Sequence, residues 1–367
     1  MVSRRHFMLA APTLLGGPSM LASCARGPDT ESHDSVASRT WRLGALQGIE
    51  AASLPVELVR YATLAPSSHN TQCWKFRLSG REIDILPDLS RRCPAVDPDD
   101  HHLFVSLGCA TENLAQAALA HGLKGDATFD VAANAVRVRL EPTRASVSPM
   151  FQAFAERQCT RGEYDGKALS NEELALLQQA GSGNGVQLML LTERAAMERT
   201  LEYVVQGNTA QMNDPAFVTE LKAWIRYNGD AAVRTGDGLY AASSGNPSLP
   251  AWLGSLMFGL FFTPKNENDK YAKHVRSSAG IAVFVGEAAD AAHWVEVGRC
   301  YERFALQAAA LGIRNAFLNQ PVEVAALRPQ FASAIGVGGR RPDLVVRFGR
   351  GPKLPPSLRR PVQAVIV

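Results

Sequence analysis

One pattern occurs twice in this chain. Gly108-x3-Glu112-x2-Ala115-x2-Ala118-x-Ala120-x-Gly122 returns as Gly298-x3-Glu302-x2-Ala305-x2-Ala308-x-Ala310-x-Gly312, each position 190 residues on. Alanine and glycine at these intervals make a thin helix that another helix can approach closely, and the last glycine suits a helix end. Two copies of one long helix imply two related halves. They do not imply a solenoid, which needs many short units. At 367 residues there is room for one large domain or two ordinary ones, and 46% hydrophobic with 20% charged residues is a globular composition.

The first copy is predicted as a helix over 101–120, with Asp97, Asp99 and Asp100 supplying a cap and first-turn acids. His101 and His102 sit in its first turn. Adjacent helical positions diverge, so they read as surface or structural residues and not as a chelating pair. Upstream, Leu54 to Leu64 has helical spacing. Trp74, Phe76 and Leu78, then Ile83 and Ile85, alternate as a hairpin about Ser79-Gly80. Arg91 and Arg92 read as a solvated pair, with a phosphate as the rarer partner. In the second half, strands are predicted at 187–191, 280–285 and 344–349 and helices at 197–211, 217–227 and 293–311. Residues 230–270 read as a long irregular stretch rich in Gly, Pro and large apolar groups, lid-like in character. Its Trp252, Phe258, Phe261 and Phe262 fit three readings equally: cover for a cofactor, a core helix or a membrane-facing patch. Gly336 to Gly339 lacks the flanking strand and helix of a dinucleotide fingerprint and reads as a loop.

Ala65-Pro66-Ser67-Ser68-His69-Asn70-Thr71-Gln72-Cys73-Trp74 separates the first helix from the first strand. Pro66 biases Ala65 away from helix, and Ser67, Ser68 and Asn70 favour turns. The stretch is either a capped turn or a polar rim for a flat heterocycle. Arg157-Gln158-Cys159-Thr160-Arg161 offers two guanidinium groups, which grip phosphate in fork geometry or stand as a surface pair.

A net charge of +3 points away from nucleic acid as the main partner. Six cysteines form no Cys-x-x-Cys pair, so neither a structural metal nor a disulfide framework is expected. At the amino terminus Arg4-Arg5 precedes an apolar run to Leu15, the pattern of a twin-arginine export signal. Leu21-Ala22-Ser23-Cys24 resembles a lipobox, with Cys24 as the acylated residue. Residues 1–24 are thus expected to be a signal and 25–39 a polar tether, on a protein exported to the periplasm with or without a lipid anchor.

The polar stretch resembles the Pro-Ser-Ser-x-Asn-x-Gln-Pro-Trp loop of the nitroreductase family, with Cys73 in place of the second proline. Arg157, Gln158, Cys159 and Arg161 resemble the family's Arg-x-Ser-x-Arg opening, with Cys159 in place of serine. Pro355 to Pro361 resembles its terminal basic segment, with Arg359 the better match. The likeness runs from about Leu54 to the end and is nearest to the duplicated, Acg-type branch. It implies an α+β fold with mixed, mainly antiparallel sheets flanked by helices. That fold would be an internally duplicated pseudo-dimer, monomeric, with halves at 40–146 and 147–367. It implies one non-covalent FMN, with Pro66, Ser67, Ser68 and Asn70 on the ring and ribityl side and Arg157, Gln158, Cys159, Arg161 and Arg359 about the phosphate. Asn315, Asn319 and Gln320 fall where the family touches the flavin ring through its backbone. The chemistry implied is two-electron transfer from a small-molecule donor to a nitroaromatic or quinone-like acceptor, with no catalytic side chain required. The alternative is an exported flavin-binding protein with a covered site and little turnover. A third reading is a lipid-anchored interaction module without cofactor.

Overall fold

A computed structural model describes residues 31–46, 48–183 and 185–367. The paired arginines, Cys24 and the first part of the expected tether lie outside these residues. The last part of that stretch is helical instead. Ser32 caps α1 (His33–Thr40) by accepting from the Ser35 amide, and the His33 ring lies 4.4 Å from that of Tyr240.

After α2 (Leu54–Thr63) come β1 (Trp74–Ser79), β2 (Glu82–Pro87), α3 (His101–Ala120), β3 (Leu123–Asp130) and β4 (Ala135–Pro142). The strands form one antiparallel sheet in the order β1-β2-β4-β3. A short α4 (Pro149–Gln152) leads to α5 (Asn171–Gly181), which opens with a full capping box between Ser170 and Glu173. Then follow β5 (Val186–Leu191), α6 (Arg194–Met212), α7 (Pro215–Trp224), β6 (Ile225–Arg226), α8 (Gly229–Thr235), β7 (Leu239–Tyr240), α9 (Ala251–Phe261) and α10 (Pro264–Arg276). The chain ends with β8 (Gly280–Gly286), α11 (Ala291–Ala310), β9 (Arg314–Phe317), α12 (Gln320–Glu323), α13 (Arg328–Ala334) and β10 (Pro342–Gly349). The second large sheet is also antiparallel, in the order β5-β8-β10-β9. The fold is α+β. Parallel pairing is confined to β6 with β7 and to single bridges such as Phe76–Ile366.

The two sheets are built alike. Apart from α6–α10 with β6 and β7, and α12 and α13, which are inserted in the second, each runs helix, strand, strand, long helix, strand, strand, with its third and fourth strands exchanged in space. The repeat helices α3 and α11 face each other, and the contact is reciprocal. A Cβ on Gly108 would lie 2.0 Å from the Val295 carbonyl oxygen, and a Cβ on Gly298 would lie 2.0 Å from that of Val105. No other residue lets these backbones meet. The repeated glutamates are buried at this seam. Glu112 pairs with Arg303 at 2.9 Å and Arg299 at 3.4 Å, while Glu302 lies 3.1 Å from Arg157. One apolar core crosses the seam, from Leu58 and Trp74 to Phe304 and Phe348. The carboxyl end returns across the first half, where the Phe76 amide donates to Val365 and the Val367 amide to Phe76.

Residues 230–270 are more regular than their composition suggests, since α8, α9 and most of α10 fall within them. Gly236, Pro250 and Pro264 mark ends of those helices and Gly254 and Gly259 lie within α9, which is why the stretch reads as irregular. Among the described residues no helix is long and apolar enough to cross a membrane.

Candidate functional site

The loop after α2 is strained and tied down. His69, Asn70 and Gln72 all take left-handed backbone angles, with φ of 49°, 54° and 54°. Such angles are uncommon outside glycine and persist only where surroundings hold them. The surroundings here are the chain's carboxyl end and the 236–238 turn. Asn70 donates to the carbonyls of Gly238 and Leu358, and Gln72 donates to Gly236 and accepts from the Arg360 amide. Arg91, expected at the surface, instead joins the Thr71 carbonyl to Asp237.

Pro66, Ser67, Ser68 and His69 are thereby presented to a cavity of about 480 Å³, within the range of small-molecule sites. One wall is α3, through His102, Val105, Ser106 and Cys109; another is α10, through Glu267, Lys270, Tyr271 and His274. Both sets fall at i, i+3, i+4 and i+7, one face of each helix. Residues 316–320, Leu344 and Arg347 close the far side, and Met257, Phe258, Phe261 and Phe262 cover the cavity from α9. The Phe258 and Phe262 rings stack 4.2 Å apart. Arg161, Lys270 and His274 also line a second cleft that shares this wall.

The cavity wall carries charged groups of both signs, Arg161, Lys270 and Arg347 with Glu267 and Glu323. Burial and the neighbouring Arg161 guanidinium push His69 down to about 4, and burial and Arg347 push His274 down to about 3, so both rings are neutral at pH 7. Arg161 has no hydrogen bond or ion pair among the described residues. His69 Nε2 and Gln320 Oε1 are buried on the cavity wall without a hydrogen-bond partner. Buried polar groups normally have partners, so these mark where a polar ligand would bind. A planar heterocycle with hydrogen-bonding edges and a phosphate tail matches that set: donors and acceptors on the loop, aromatic cover, cations at the mouth.

The expected site residues divide into two groups. Pro66, Ser67, Ser68 and Arg161 line the cavity together. Asn70, Arg157, Gln158, Cys159 and Arg359 do not. Arg359 is buried and donates to the carbonyls of Thr63, Leu64 and Ala65 and to Asn70 Oδ1; burial lowers it to about 9. Arg157 donates to Leu64 O at 2.7 Å and faces Glu302. Gln158 Oε1 accepts from the Leu354 amide, and Cys159 bridges to Asn315. Asn315 accepts from the Tyr301 hydroxyl at 2.9 Å, while Asn319 and Gln320 are in the wall. Sequence reading missed the α10 face, although the spacing of Glu267, Lys270, Tyr271 and His274 signalled it. It also missed that His101 and His102 are buried. His101 lies 2.9 Å from Asp343, and His102 lines the cavity. The five described cysteines are unpaired.

No family model matches the chain. Two curated proteins of Mycobacterium tuberculosis, from strains CDC 1551 and H37Rv, are each provisionally named NAD(P)H nitroreductase. Each is 26% identical to this chain over 320 residues, covering 83% of this chain and 88% of the relative. The chain is similar to nitroreductases. Among solved structures, an FMN-bound nitroreductase from Bacteroides fragilis superposes with a TM-score of 0.35 at 14% identity, covering 56% of this chain and 89% of that one. An FMN-dependent nitroreductase from Mycobacterium smegmatis in complex with NADPH gives 0.36 at 12%, covering 55% and 87%.

Proposed function

We propose that this chain is an FMN-dependent oxidoreductase of nitroreductase type. The observation that carries the reading is the shared cavity: the Pro66–His69 loop of the first half and Arg161 of the second open onto one slot. The names of the M. tuberculosis relatives support it. FMN held there would accept a hydride from a reduced nicotinamide and deliver two electrons to an acceptor such as a nitroarene or quinone.

The protein's part is binding, orientation and exclusion of water. Ser67, Ser68 and Gln320 offer hydrogen bonds to the ring's polar edge. Arg161 and Lys270 supply charge for the phosphate. Arg157 and Arg359 act one layer behind, holding the carbonyls of residues 63–65 so that the loop keeps its left-handed turn. Asn70 belongs with them. Neutral His69 and His274 keep two further positive charges out of the slot.

The aromatic cover from α9 favours a second reading: a flavin-binding protein whose site is shut, with little turnover. Steady-state oxidation of NADH and NADPH with several acceptors separates the two. The first reading itself rests on binding: the purified protein should carry, or take up, one equivalent of FMN with a flavin absorption band. A colourless protein that fails to take up FMN overturns both and leaves the cofactor-free module.

The matching element order of the two sheets and the reciprocal glycines support duplication of an ancestral subunit into a pseudo-dimer of the Acg-type branch, monomeric, with halves at 40–146 and 147–367. Paired arginines and the lipobox-like Leu21–Cys24 support export by the twin-arginine route to the periplasm and anchoring at Cys24. Mass analysis of protein recovered from the export compartment tests both.

A further inference from the structure

From Gly238 to Pro264 the chain contains no charged residue. Helix α9 lies inside that run and is apolar on two sides. Its inner side packs on the fold. Gly254 is there because a Cβ would meet the Tyr227 ring at 2.4 Å, and Phe258 and Phe262 face the cavity. Its outer side carries Trp252, Leu256 and Leu260 at i, i+4 and i+8, and Phe261, which also edges the cavity, stands beside them. These are 72%, 53%, 61% and 57% exposed, so among the described residues none covers the stripe. Large exposed patches of this kind mark interaction sites.

We infer that this outer stripe of α9 docks on a lipid bilayer, lying in the interface with Trp252 at headgroup depth. Three observations choose lipid over other occupants. The exposed face of α9 carries Trp252, Leu256, Leu260 and Phe261 with Ser255 as its one polar side chain, fewer polar groups than give a protein interface its specificity, while a bilayer surface needs only apolar area and cations. Exposed Lys222 stands beside the helix, over the Phe258 ring at 5.2 Å, and Lys265, paired with Asp269 at 2.6 Å, follows it. The chain also enters the fold beside this helix. His33, at the start of α1, packs on Gly229. The adjacent Asn228 donates to the Leu249 carbonyl, and the Leu249 amide donates to Tyr227, on whose ring Gly254 sits. Any anchor carried by residues 1–31 is therefore joined to the fold at the base of the apolar stripe. The inner side of the same helix covers the cavity, so docking and access to that cavity fall on one element.

Co-sedimentation of the full-length protein with vesicles of phosphatidylethanolamine and phosphatidylglycerol tests the inference without any assay of turnover. A C24S variant removes acylation. In that background the protein should pellet with vesicles, and W252S/L256S/L260S should lower the bound fraction at least tenfold with an unchanged urea midpoint. Should the triple variant fold poorly, W252F serves instead. Vesicles should shift tryptophan emission to the blue in the parent, and most of that shift should vanish in W252F. Absence of vesicle binding in C24S, or binding and emission indifferent to these substitutions, overturns the inference. So does a lipid-free dimer that the triple substitution returns to monomer, since a second copy then covers the stripe.

Discussion

The two halves share a strand order and differ in what they hang on it. In the first, β1 and β2 are joined by a tight turn, Gly80-Arg81; in the second, the equivalent β5 and β8 are separated by residues 192–279, which include α6 to α10. The loop between α2 and β1 is long enough to form the strained polar rim. Its counterpart between α5 and β5 is the short segment 182–185. The two halves pack on each other reciprocally and contribute different parts of one cavity: the first supplies the rim, the second the cover and the cations. Packing at the seam is held by atoms that must touch, whereas the loop that precedes the first strand of each sheet is free to differ in length.

The sharpest way to break this comparison is at the seam. Gly108→Ala and Gly298→Ala each drive a methyl group into a backbone carbonyl at 2.0 Å, with no flexible side chain to yield. Each should lower stability by about 3 kcal/mol or more, as expected for overpacking that forces helices apart. Chemical denaturation should show the two losses within about 1 kcal/mol of each other. A large inequality would mean that the two helices do not meet symmetrically.

Next comes the layer behind the rim. Arg359→Ala leaves the buried carbonyls of Thr63 and Ala65 and the Asn70 side chain without a donor, at about 1–3 kcal/mol each when unrelieved. A loss of about 3 kcal/mol in unfolding free energy is expected, together with weaker FMN uptake. Lysine in its place should recover little, since one ammonium cannot reach three carbonyls and an amide oxygen.

Glu302 at the seam gives a pH test. Burial raises Glu302 to about 7 against the ordinary 4.5, in spite of Arg157 and Arg359. A raised carboxyl stabilises the fold fully below its unfolded pKa, and that contribution is lost as pH rises from about 4.5 through 7. Unfolding measured from pH 4.5 to 8 should show a decline of up to about 3 kcal/mol from this group. Glu302→Gln should flatten the decline across that window, because glutamine imitates the protonated acid.

Much of the fold was legible because its signals are local. The repeat, Gly122 and Asp97, whose carboxylate accepts from the His102 and Leu103 amides, set α3 at His101–Ala120, although Asp100 makes no side-chain cap bond and no acid stands in the first turn; alternation set the β1–β2 hairpin. The site was legible in part. Pro66, Ser67, Ser68 and Arg161 reach the cavity, but Arg157 and Arg359 turn away to carbonyls that only the folded chain brings near them. No spacing in the sequence shows that a guanidinium 295 residues from Leu64 will cap its carbonyl. Burial of His101 and His102 was hidden for a related reason: Asp343, which partners His101, comes from β10.

The smallest effect is the most informative about the ligand. Arg161 has no partner among the described residues to lose, and it is only partly buried. Arg161→Ala should therefore leave unfolding free energy within about 0.5 kcal/mol of the parent. If the cations at the mouth hold the phosphate, FMN affinity should fall about tenfold, which is about 1.4 kcal/mol. Riboflavin affinity, which involves no phosphate, should be unchanged. Lys270→Ala should act in the same direction and add to it. The opposite pattern, with riboflavin and FMN weakened equally, would place Arg161 on the ring and return the phosphate to Arg157 and Arg359. The rim and the layer behind it would then have exchanged roles.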